Sequence, residues 1–68
     1  MTESDLRMLE TLAADDDEAA ARADASAARL EESGFSEAEA IYHRARAAGL
    51  RAEAQSLREQ MRARVGAE

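Results

Sequence analysis

The residues best suited to chemistry are few. The sequence has one histidine, His43, and Glu39 lies one helical turn before it. Two such ligands are too few to hold a metal ion. The sequence shows no nucleophile paired with a base, no glycine-rich phosphate loop and no paired carboxylates in a cleft. We therefore predict a protein that is not an enzyme and that uses no metal and no other cofactor.

An acidic run, residues 15–18, is the densest cluster of charge in the chain. A calcium loop needs ligands that alternate around a glycine, and this run has neither feature. Acids are favoured at the start of a helix, where they face the positive end of its dipole, so the run predicts a helix junction. Asp15, Asp16 and Asp17 are also candidates for charged contacts with a partner. They leave open an acidic mimic of nucleic acid, such as a phage-type inhibitor that blocks a nucleic-acid-binding protein.

Basic residues are all arginine and are concentrated in the second half of the chain. Residues 1–39 hold twelve acids and three arginines, whereas residues 40–68 hold three acids and six arginines. This asymmetry predicts that acidic helices pack near basic ones, within one chain or between copies. No aromatic residue is interleaved for base stacking, and a net charge of −6 repels a polyanion, which argues against nucleic acid as the partner. Candidate charged contacts with a protein are Arg51, Arg58 and Arg62.

Alanine accounts for most of the apolar composition. Of the 68 residues 46% are hydrophobic, but 18 of those 31 apolar residues are alanine. Ala, Glu, Arg and Leu favour helices, so we expect an all-α protein with a thin core that needs a partner or a second copy to pack against. The sequence has no cysteine, no long apolar stretch and no secretory signal. These absences predict a cytoplasmic protein without disulfides or membrane contact.

Helix signals divide the chain into several short segments. Thr2 and Asp5 have the spacing of a capping box, as do Ser36 and Glu39, and Gly34 suits the left-handed position after a helix end. Gly49 separates two apolar stripes that face opposite ways, which favours a break there. The prediction is one domain over residues 1–68 with three to four short helices, arranged as antiparallel hairpins or a small bundle, near 3–14, 17–33, 37–48 and 51–64.

Residues 27–45 resemble a tetratricopeptide-type helical hairpin. The matching residues are Ala27, Leu30, Gly34, Phe35, Ala38, Tyr42 and Ala45, and the last five follow the order small, aromatic, small, aromatic, small. In that family the small residues let paired helices approach closely, while the aromatic residues fill the space between them. The resemblance therefore implies a tight antiparallel pair of helices around Gly34.

Together these features predict a protein–protein interaction module. It would associate with itself as a homo-oligomer, or act as a small adaptor or inhibitor of another protein as part of a complex. Aromatic and long apolar side chains carry most of the binding energy of interfaces. The predicted partner-binding residues are Phe35, Ile41, Tyr42, Leu57 and Met61.

Overall fold

Two long helices run antiparallel along nearly the whole chain. The computed structural model describes residues 2–34 and 36–67. Helix α1 spans Glu3–Ser33, and helix α2 spans Glu37–Ala67. The hairpin measures 52 × 15 × 11 Å between Cα atoms. The all-α class and the helical hairpin are confirmed, whereas the expected three to four short helices are replaced by two long ones over the described residues.

The predicted caps form at both ends of α1. The Thr2 hydroxyl accepts a hydrogen bond from the Asp5 N–H, and the Asp5 carboxylate accepts one from the Thr2 N–H, each 3.2 Å long. At the other end Gly34 is left-handed with φ of 67°, and its N–H donates to the carbonyls of Leu30 and Glu31. The Ser36 hydroxyl then accepts from the Glu39 N–H at the start of α2. Gly34 and the short polar side chain of Ser36 thus specify the turn.

The predicted helix junction at the acidic run is wrong, because α1 continues through Asp15, Asp16 and Asp17. A stripe with alternating spacings of three and four residues passes through the run without interruption, which is the pattern of a helix packed in a coiled coil. Packing of such a stripe outweighs the modest helix propensity of aspartate. The separate helices 3–14 and 17–33 are therefore one. The stripe consists of Leu6, Leu9, Ala13, Asp16, Ala20, Ala23, Ala27 and Leu30.

The predicted break at Gly49 is also wrong, so the separate helices 37–48 and 51–64 are one. The apolar stripe before Gly49 consists of Ala38, Ile41, Tyr42 and Ala45, and all four are exposed instead of facing α1. The stripe that faces α1 keeps one register throughout, and a coiled-coil supercoil keeps such a stripe on its partner. It consists of Ser36, Ala40, His43, Ala47, Leu50, Ala54, Leu57 and Met61.

The core between the helices is made of alanine. No large side chain is fully buried among the described residues. Leu50 packs against a cluster of Ala20, Ala23 and Ala47. Residues as small as alanine let two helix backbones approach closely but remove little apolar surface from water. The larger apolar side chains are therefore either partly buried in the seam, as Leu50 is, or exposed outside it. The buried residues are Ala13, Ala20, Ala23, Ala27, Ala40, Ala47 and Ala54.

Candidate functional site

One broad face of the hairpin carries two rows of opposite charge, which we call the ion-pair ladder. The acids belong to α1 and the arginines to α2, and within each row the residues are seven apart. In an antiparallel coiled coil, positions that flank the seam on the same side face one another, so two seven-residue rows pair along their whole length. The ladder consists of Glu10, Asp17, Asp24, Glu31, Arg44, Arg51 and Arg58.

Arginines bridge successive acids at both ends of the ladder. Arg58 lies 2.7 Å from Asp17 and 3.3 Å from Glu10, measured from Nη1 to Oδ2 and from Nη2 to Oε1. The hydrogen bond to Asp17, followed by the one to Glu10, raises the pKa of the Arg58 guanidinium above its ordinary value. Arg44 spans Asp24 and Glu31 in the same way.

Arg51 completes the ladder between those two bridges. Its Nη2 lies 2.6 Å from Asp24 Oδ2. The ladder therefore joins the acidic first half of the chain to the basic second half. It also engages Arg51 and Arg58 within the chain, and contact of these two side chains with another protein stays a prediction.

The acidic run does not form one patch. Successive residues of a helix lie about 100° apart, so three adjacent aspartates point in three directions. Asp17 joins the ladder, Asp16 is partly buried in the seam, and Asp15 is exposed. Arg62, the remaining predicted charged contact, is exposed on α2. The contiguous charge of the sequence is therefore dispersed by the fold.

The predicted partner-binding residues that the structure describes fall into two groups. Leu57 and Met61 are partly buried and belong to the seam. Ile41 and Tyr42 are 62% and 61% exposed and make no part of the core. Phe35 lies outside the described residues. Met8, Leu12 and Val65 are also exposed and were not among the predicted partner-binding residues. The seven-residue period of the seam places all three outside it.

An uncharged surface runs along the side of α2 that faces away from α1, and we call it the outer face. Its members recur at helical spacing, and every one is exposed. At 1.5 Å per residue the outer face extends for about 27 Å. In a chain with 35% charged residues, this is a continuous uncharged surface on a surface helix. It consists of Ala38, Ile41, Tyr42, Ala45, Ala48, Gly49, Ala52, Gln55 and Ser56.

Tyr42 is held against a residue of the seam. Its ring centroid lies 5.4 Å from that of His43, with the two planes at 71°. Aromatic pairs favour this edge-to-face arrangement. His43 is partly buried between the helices, so this contact links the outer face to the seam. The outer face thus presents an exposed aromatic ring that packs on one side against His43.

One edge of the outer face carries Glu39, Arg46 and Glu53, seven residues apart and alternating in sign. Unlike the ladder rows, which each have one sign, this row mixes both. Within the described residues, none of the three side chains takes part in an ion pair. We call it the mixed row.

The described residues contain no group of three His, Asp or Glu side chains that could hold a metal ion. A shallow depression beside the turn is lined by Leu30, Glu31, Gly34 and Glu37. In the part of the chain that the structure describes, neither helix is apolar enough over a sufficient length to cross a membrane.

Comparison of the chain with protein-family models, with curated proteins and with solved structures gives no match. The evidence for function is therefore the arrangement of the side chains themselves: a ladder that closes one face of the hairpin, and an uncharged outer face with two large apolar residues.

Proposed function

We propose that this protein is a cytoplasmic, non-enzymatic protein-binding module that engages its partner through the outer face of α2. The observation that carries the proposal is that the small apolar residues are buried while large ones are exposed, which reverses the usual arrangement. The residues buried in the core are alanines, whereas Ile41 and Tyr42 are more than half exposed. Apolar and aromatic side chains on one rigid helix face are the anchors that helix-in-groove and helix-on-helix recognition uses.

The hairpin supports this role by holding the outer face rigid. The ladder and the alanine seam act between α1 and α2, and among the described residues they leave the opposite side of α2 exposed. A preformed face loses little conformational entropy on binding. The tetratricopeptide-like order of small and aromatic residues around the turn is consistent with such a role, because helical-repeat hairpins pack against neighbouring helices.

Site-specific photo-crosslinking tests the proposal. A photoreactive benzoyl-phenylalanine replaces Tyr42 in one variant and Glu18, which is exposed on α1, in a second variant. Both are irradiated in cells of the source organism and as purified protein. We expect discrete adducts of defined mass from position 42 and none from position 18. The same adducts from both positions, or none from position 42, would contradict the proposal.

A second pair of variants tests whether the contact with the partner depends on the side chain of Ile41. With the photoreactive residue at Ala45, the change Ile41→Ala should remove most of the adduct while leaving the helical circular dichroism unchanged, because Ile41 is outside the core. The matched control is Met8→Ala, which removes an equally exposed apolar side chain from α1. An adduct that persists in Ile41→Ala and disappears in Met8→Ala would move the binding surface to α1.

A further inference from the structure

We propose that the partner of the outer face is a second copy of this chain, docked antiparallel with the two Tyr42 side chains at the two-fold axis. The inference rests on the proposed function and names its partner. It starts from the charges beside the outer face and not from the apolar residues alone.

Helix α2 carries two rows of charge, the arginine row of the ladder and the mixed row, and each is electrostatically complementary to a different surface. The arginine row of the ladder has a single sign, so it repels its own copy and is complementary to the acidic row of α1, where it is in fact paired. The mixed row alternates in sign at equal spacing, and its charges have no ionic partner among the described residues. A row of alternating sign is complementary to its own antiparallel copy when the two are shifted by one repeat. The charges beside the outer face therefore fit a second copy of the same helix.

The apolar anchors select one of the two possible shifts. When Glu39 lies opposite Arg46 of the second copy, symmetry places Arg46 opposite Glu39 of that copy, and the axis passes between residues 39 and 46. Ile41 and Tyr42 of both copies then meet at the axis, surrounded by Ala38 and Ala45. The other shift, which pairs Arg46 with Glu53, centres the contact on Gly49 and leaves the large side chains at its ends. Interfaces concentrate their energy in a central apolar cluster, so the first shift is favoured.

The contact involves one helix from each copy and is smaller than a standard interface. Such contacts are weak, so the dimer should form at concentrations on the order of 10–100 μM. Sedimentation equilibrium of the full chain from about 5 to about 500 μM tests this range. We expect a reversible monomer–dimer equilibrium, whereas a monomer at every concentration would overturn the inference.

Charge reversal gives the sharper test. Glu39→Arg places two arginines opposite each other at both contacts, and Arg46→Glu does the same with two glutamates, so each variant should weaken dimerisation about tenfold. An equimolar mixture of the two variants should dimerise again, because each copy then carries the charges that the other lacks. The matched control Glu53→Arg should dimerise like the unaltered chain. Circular dichroism checks that each variant keeps its helices.

The outcomes separate this inference from the proposed function. Failure of the mixture to recover dimerisation would overturn the pairing of Glu39 with Arg46. Loss of dimerisation in Glu53→Arg with none in Glu39→Arg would overturn the position of the axis. If position 42 cross-links to a different protein and the purified chain stays monomeric, the protein-binding function stands and the second copy is excluded as its partner.

Discussion

Arg58 of α2 donates from Nη1 to Asp17 Oδ2 of α1 across a distance of 2.7 Å, although the two residues are 41 positions apart in the chain. The pair fixes the register in which the two helices lie side by side. The same arrangement recurs seven residues away, where Arg51 reaches Asp24. An alanine seam is smooth and specifies register weakly, so the ladder supplies information that the core lacks.

The first prediction concerns the two neighbouring aspartates at this point. Asp17→Asn removes the charge that Arg58 faces, whereas Asp15→Asn removes an exposed charge that forms no ion pair with another described residue. We expect Asp17→Asn to lower the melting temperature by a few degrees, and the difference should shrink in about 1 M salt because the ladder is solvent-accessible. Thermal melts followed by circular dichroism measure it. An equal or larger fall in melting temperature from Asp15→Asn would contradict a specific contribution of the Asp17–Arg58 pair.

The turn was predictable because its signals are local. Gly34 and Ser36 act on backbone groups within four residues of themselves, so their effect does not depend on which face of the helix is buried. The uneven distribution of acid and arginine likewise predicted that the two halves pack together. These features were read from residue type and spacing alone.

The continuity of the helices was not predictable from the large apolar residues. Ile41 and Tyr42 set the apparent stripe at the start of α2, and Leu57 set the one near its end, which made Gly49 look like a break. The true seam passes through Ala40 and Ala47. Alanine occurs on every side of both helices, so it gives no contrast by which a buried position is distinguished from an exposed one. Only the seven-residue period of the seam carries that information, and the exposed anchors obscured it.

The second prediction tests how closely the helices approach. Ala20 is fully buried against Ala23, Ala47 and Leu50, so Ala20→Leu adds three carbon atoms where the helices meet. We expect a loss of about 1–3 kcal/mol in the free energy of unfolding, the usual cost of overpacking. The control is Ala21→Leu, one position along on the exposed side, which should change stability little. Urea denaturation followed at 222 nm measures both, and equal stability of the two variants would contradict a close-packed alanine seam.

The third prediction concerns the acid dependence of the first helix cap. Hydrogen bonding to Thr2, first through its side chain and then through its backbone, lowers the pKa of Asp5 from the ordinary value of 3.8. A carboxyl group with a lowered folded-state pKa stabilises the fold above its unfolded pKa, and this contribution is lost as the pH falls through the folded-state pKa. Asp5→Asn should therefore melt at a lower temperature than the unaltered chain at pH 7.

The difference between these two proteins should begin to decline as the pH falls through about 4 and should vanish at more acidic pH. Melting temperatures of both proteins at pH 7, 5, 4, 3 and 2 measure the decline, and comparison of the pair cancels the effect of the other carboxylates. A difference that stays constant down to pH 2 would show that the charge of Asp5 does not contribute to the cap.

The fourth prediction compares two glycines that have opposite roles. Gly49 has ordinary helical backbone, and a Cβ atom there would meet nothing within 4 Å, so Gly49→Ala should stabilise α2 by roughly 0.5–1 kcal/mol. Gly34 also has open space around it, but its φ is positive, so Gly34→Ala should destabilise the hairpin by roughly 1–2 kcal/mol. Both are measured by thermal denaturation at about 1 μM, below the concentration expected for dimerisation. Because the space is open at both positions, opposite signs would isolate the backbone conformation as the cause, and a loss of stability in Gly49→Ala would show that α2 bends at this residue.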